Sequence, residues 1–211
     1  MVVAALLAGV LGILGPWWSF QEASFGHFGQ YTGTLDWGLV SSTYSPPPIG
    51  TPPRTSNYTN LPHIGGVLSG AAVLSVLSLG FGGGLILTMV PAWRRDWFRF
   101  LGLALGAAGG AADFVAAFYV MSALPGAAET DLRTITSFVS ITSFWGSGSG
   151  GNFDFHIDLV WGPGWAWYAA VVAGILLVLA GIARWRGWVL PSRRTGSPST
   201  ERSEAPPRQR P

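Results

Sequence analysis

Four stretches of the chain run apolar almost without interruption, and polar stretches of unequal length separate them. The first covers residues 2–18 and ends on Pro16, Trp17 and Trp18. The second covers 63–90 and stops before Pro91, the third covers 98–124 and stops before Pro125, and the fourth covers 165–184. About 20 apolar residues in a helix cross the hydrocarbon core of a bilayer, so the pattern predicts four spans. A signal peptide is the competing reading of the first run, but no basic residue precedes the apolar stretch and no small-residue cleavage site follows it. The polar stretches 19–62 and 125–164 then share one side of the membrane, with the basic turn at 91–97 on the other.

Within the polar stretches the period changes. Gln30 to Tyr44 is rich in strand formers and reads as one or two short strands, after which Pro46, Pro47, Pro48, Pro52 and Pro53 read as an extended crossover. Residues 133–145 are dense in Thr, Ile, Val and Phe, the run GSGSGGN at 146–152 reads as a flexible turn, and 153–161 alternates as a strand. The predicted fold class is a membrane all-α four-helix bundle with a small extracytoplasmic β-sheet or hairpin built from the two outer loops. A disordered cytoplasmic tail is expected over 191–211.

Composition agrees with a membrane protein: 49% of residues are hydrophobic and 10% charged, where a soluble domain carries about 25% charged. With no cysteine, disulfide frameworks, thiol catalysis, iron–sulfur clusters and cysteine zinc sites are excluded. Charge sets the threading. Arg94, Arg95, Arg99 and the arginines from Arg184 onward fall in the short turn and the tail, whereas Glu22, Asp36, Glu129, Asp131, Asp154 and Asp158 fall in the outer stretches. That distribution follows the positive-inside rule, giving a multi-pass protein of the cell membrane with both termini cytoplasmic. It does not describe a nucleic-acid groove. Trp17, Trp18, Trp93, Trp97, Trp165, Trp167, Trp185 and Trp188 flank the spans, where interfacial anchors belong.

Three groups of residues are candidates for more than packing. Gly66 with Gly70, Gly80 with Gly84, and the series Gly102, Gly106, Gly110 recur four apart, one above another on a helix face. Such faces let helix backbones approach closely, and they are expected to match each other between the second and third helices. Packing within one bundle in the lipid bilayer is the favoured role, and packing between copies or within a larger membrane complex is the alternative. Asp113 is the one acid well inside a span, and such residues mark ion or proton pathways. A structural acid hydrogen-bonded to Ser or Tyr on a neighbouring helix is the favoured account, because no other span offers the basic partner a relay needs. Asp154, His156 and Asp158 alternate on one strand face and could present two oxygens and a nitrogen to a metal. Closing that site needs His27, His63 or Asp36, and the solvent face of a half-buried strand alternates in the same way.

No nucleophile elbow, zinc-protease helix or phosphate-binding loop occurs. No catalytic residue and no cofactor are therefore expected. The leading expectation is a non-enzymatic structural, adhesive or accessory subunit. A small transporter or channel component working through Asp113 is the alternative, and a metal-binding sensor or enzyme around His156 comes third.

Pro16 and Trp17 after the first span, then Trp37, Gly38 and Leu39, together with four spans and a strand-bearing first loop, resemble the claudin and peripheral-myelin-protein superfamily. Val40 stands where that superfamily's motif has a second Trp, and its paired loop cysteines have no counterpart here. The PWWSF stretch and the WGPGWAWY entry to the last helix also resemble small four-span proteins of bacteria and archaea. The resemblance implies the same architecture and a role in barrier formation or adhesion.

Overall fold

Long apolar runs without interior breakers close their own backbone hydrogen bonds, which is the only economical state for a peptide in hydrocarbon. The computed structural model describes residues 1–26, 29–46, 52–90, 96–132, 140–152 and 155–187. In chain order they form α1 (Val2–Leu14), β1 (Pro16–Gly26), β2 (Gly29–Gly38), β3 (Ser42–Ser45), β4 (Arg54–Ser56), α2 (Pro62–Leu87), α3 (Asp96–Asp131), β5 (Gly146–Asn152), β6 (Phe155–Pro163) and α4 (Trp165–Trp185). Helices α2, α3 and α4 are long and apolar enough to cross a membrane. Helix α1 is a shorter apolar helix of 13 residues, about 20 Å long by helical rise. Helix α2 packs on α3, α3 on α4, α4 on α1 and α1 on α2.

Two helix ends differ from the sequence reading. The first apolar run does not stay helical to Trp18: α1 stops at Leu14 and Pro16 opens a strand. The gain lies in burial, because Trp17 and Trp18 become fully enclosed at the foot of the sheet. Nor does Pro125 end the third run. It lies inside α3, which continues to Asp131 over 36 residues, about 54 Å against a hydrocarbon thickness of about 30 Å.

The overshoot is held by packing and by a cap. Leu124, Ala127 and Ala128 enter the core, and the Asp131 carboxylate, 3% exposed, reaches the start of α2. One Asp131 oxygen accepts the Ile64 amide at 2.9 Å, and the other lies 2.6 Å from His63 Nδ1. A carboxylate satisfies the unpaired amides of a helix N-terminus and suits its dipole. Tyr58 adds a second tie, its hydroxyl donating to the Gly38 carbonyl at 2.6 Å. Burial pushes that phenol above its ordinary ionisation range.

The sheet is larger than the small sheet or hairpin expected. Among the described residues it has six strands, drawn from both polar stretches and antiparallel in the order β4-β3-β2-β1-β6-β5. Strands β2 and β3 cover most of the stretch read as one or two strands and overrun it by one residue at each end, and β6 follows the alternating segment. Strand β5, however, is the GSGSGGN run itself, whereas residues 140–145 form no strand. The remainder of that expected strand, 133–139, lies outside the described residues, as does the tail over 191–211. A glycine-rich β5 is accounted for by its neighbour: it pairs along its length with β6, and the Trp161 ring lies where a side chain at 146 would stand, 2.5 Å from an added Cβ.

Register sorts the sheet into two faces. Trp18 pairs with Trp37, and Phe20 with Leu35, which pairs with Tyr44; this face looks into the protein. Ser19, Asp36 and Thr43 pair across the other face, with Gln21 and Thr34 beside them. The inner face joins the outer ends of the helices in one core, which includes Trp17, Trp18, Trp37, Ile64, Leu68, Val120 and Phe144. A second, smaller core of Val2, Ala5, Leu85, Leu177 and Ala180 closes the opposite ends of the helices.

Candidate functional site

Between those two cores the helices meet through small and polar residues. Helix α3 approaches α4 backbone to backbone. A Cβ added at Gly106 would stand 2.7 Å from the Leu177 carbonyl oxygen and 2.8 Å from Gly181 Cα, and one at Gly110 would stand 2.7 Å from the Gly174 carbonyl oxygen. Gly174 and Gly181 complete the seam from the α4 side. Their spacing of seven, two helical turns, was the available signal for them in the sequence.

The seam expected between glycines of the second and third helices is therefore corrected: it joins α3 to α4. On α2, Gly70 faces the Tyr119 ring and Gly84 faces Leu105, while an added Cβ at Gly66 or Gly80 would meet nothing from another element within 4 Å among the described residues. Helix α2 also comes close to α3 at Gly109, where an added Cβ would lie 3.2 Å from Phe81 Cβ and 3.4 Å from the Ser78 carbonyl oxygen. Gly102 lies at the far end of the seam, against Arg184 Cγ and Thr88 Oγ1. Arg184 is buried there, its Nε and Nη2 donating to the Thr88 carbonyl at 3.1 and 2.7 Å. The guanidinium thus meets the last carbonyls of α2, where the helix dipole favours a cation.

Asp113 sits on this seam, 2% exposed and about 26 Å along α3 from Asp96 by helical rise. Ser78 of α2 donates to its Oδ2 at 2.7 Å. On the other side, Gly174 provides room for it: a Cβ there would lie 3.2 Å from Asp113 Cβ. Ser75, one turn from Ser78, is buried with no hydrogen-bond partner for its hydroxyl among the described residues. The arrangement is a polar waist that joins three helices. A transmembrane side-chain hydrogen bond contributes on average about 0.6 kcal/mol. Asp113→Asn keeps the oxygen that Ser78 needs, so it is expected to unfold within about 1 kcal/mol of the parent and to retain assembly. Loss of assembly in that variant, measured by denaturant titration and gel filtration, would assign a role to the charge itself.

The metal candidates do not converge among the described residues. His156 Nε2 lies 3.0 Å from Asp158 Oδ1, with both side chains about half exposed. Asp154 and His27 lie outside the described residues. His63 is engaged with Asp131, and Asp36 accepts the Ser19 hydroxyl at 2.6 Å. No group of three His, Asp or Glu that could hold a metal occurs among the described residues.

The flanking tryptophans divide into two kinds. Trp97, Trp165 and Trp185 are exposed at helix ends, whereas Trp93 and Trp188 lie outside the described residues. Trp17 and Trp18 are core residues rather than surface anchors. The Trp17 indole donates to the Gly12 carbonyl, and that of Trp18 donates to the Phe144 carbonyl at 2.8 Å. Trp167 is half-buried and donates to the Ala117 carbonyl of α3 at 3.0 Å. Trp18 lies 5.0 Å from Trp37 between ring centres, Phe20 stacks on Trp161 at 5.9 Å, and Phe144 lies 5.8 Å from Trp167. This aromatic hub fastens the sheet to α3 and α4. No protein-family model and no curated protein matches the chain.

Proposed function

We propose that the chain is a non-enzymatic four-span membrane protein that works as a structural, adhesive or accessory subunit. In this reading α1 completes a four-helix bundle with α2, α3 and α4, the sheet stands on the extracytoplasmic side of the cell membrane, and both termini are cytoplasmic. The observation that carries it is the aromatic hub. Both polar stretches are committed to one sheet, and buried rings fix that sheet to the helix ends, so its outer face is a platform held in a set orientation. Val160 and Trp145, each about half exposed, are apolar points on that platform and suit contact with a partner. Gly66 and Gly80, open on the outside of α2, suit close approach by another helix.

Transport through Asp113 has less behind it, since the acid is enclosed by Ser78 and the α4 glycines. A metal centre at His156 lacks converging ligands among the described residues. The test of the assembly reading is purification with native lipids and partners, followed by mass measurement of the intact particle. A mass well above one chain is expected; a bare monomer from gentle extraction would overturn the reading.

A further inference from the structure

The inner face of the sheet carries a cleft of about 270 Å³ beside the end of α3. Phe20, Leu35 and Tyr44, directly opposite one another on three strands, supply an apolar wall, and Leu132 bounds it from the α3 side. One step further along β1, Glu22 faces the same cleft. Its cross-strand partner is Gly33, so no side chain from β2 fills the space beside the carboxylate. Among the described residues no basic side chain forms an ion pair with Glu22.

A carboxylate set against apolar walls creates a local demand for positive charge. Arg54, opposite Tyr44 on β4, stands three strands from β1, about 14 Å at the usual strand spacing of about 4.8 Å. No ion pair joins it to Glu22 among the described residues. A hard divalent ion needs about six or more oxygen ligands, and the cleft brings together one carboxylate with hydrocarbon and rings. The Tyr44 ring, partly exposed at the mouth, presents a face of the kind that attracts organic cations. We infer that this cleft binds a small organic ammonium ion, with its charge at Glu22 and its carbon body against Phe20, Leu35, Tyr44 and Leu132. The site is independent of the assembly reading above.

The test uses the full chain in lipid nanodiscs, titrated with choline chloride while intrinsic fluorescence and thermal unfolding are followed. Sodium chloride at equal ionic strength and dimethylbutanol, the neutral carbon analogue of choline, serve as controls. Choline is expected to give a saturable fluorescence change and a raised unfolding temperature, with neither control doing so. Glu22→Gln is expected to weaken choline binding by about tenfold or more through loss of the counter-charge, with the ligand-free unfolding temperature unchanged. Tyr44→Leu, at the exposed rim, provides a second variant if Glu22→Gln folds poorly, and it too is expected to weaken binding. The proposal is overturned if choline gives no saturable signal, if dimethylbutanol matches it, or if the folded variants titrate like the parent.

Discussion

Gly106→Ala and Gly110→Ala are each expected to destabilise the protein by about 2–3 kcal/mol, although alanine is the better helix former by about 1 kcal/mol. The added methyl has nowhere to go. At 106 it meets the Leu177 carbonyl and Gly181 Cα, and at 110 it meets Val178 Cγ2 and the Gly174 carbonyl. At both positions backbone stands in the way, so relief requires α3 and α4 to separate along the seam, which also disturbs Asp113 and its bond to Ser78. The same substitution at Gly66 and Gly80 meets open space and is expected to stay within about 0.5 kcal/mol of the parent. Because all four changes share one chemistry, intrinsic propensity cancels in the comparison. Denaturant titration in bicelles checks it, and equal effects at Gly66 and Gly106 would contradict an α3–α4 seam.

Trp18→Ala is expected to cost about 4 kcal/mol, within the range for removing a buried tryptophan. Its ring is fully buried, lies 5.0 Å from Trp37 and stacks on Phe144, whose carbonyl accepts its indole N–H. Removing it empties the foot of the sheet and leaves that carbonyl without its donor. Trp97→Ala is the contrast, since Trp97 is exposed, and its loss is expected to shift stability by about 0.5 kcal/mol or less. If thermal unfolding ranks the two tryptophans the other way, the sheet is not anchored through Trp18.

The helices at 62–87 and 165–185 were legible because an unbroken apolar run admits few other solutions in a bilayer. Strand β6 was legible because Leu159 and Trp161 alternate with Asp158 and Val160. What failed was residue meaning that only a partner supplies. Trp17 and Trp18 fit an interfacial belt or a core equally well from sequence, and the choice fell to burial against Trp37 and Phe144. Strand β5 has the composition of a linker and is a strand because β6 offers it a ladder and Trp161 covers Gly146. Pro125 reads as a stop, yet core contacts at Leu124 and Ala128 and the Asp131 cap carry α3 past it. For the site, Asp113 was visible as an anomaly, and a serine partner was one of the two readings it allowed. Gly174 and Gly181 escaped notice because seven-residue spacing is a weaker signal than four. The Glu22 cleft left no trace in the sequence, since it depends on the cross-strand neighbour being Gly33.

The orientation of the sheet across the membrane is best tested by cysteine labelling, because the chain has no cysteine of its own. Ser149→Cys places a thiol on an exposed position of β5, and Ser203→Cys places one in the tail. With the sheet outside and the tail inside, a membrane-impermeant maleimide labels Ser149→Cys in intact cells and reaches Ser203→Cys only after the membrane is opened. Labelling of Ser203→Cys in intact cells, with Ser149→Cys protected, would contradict that orientation.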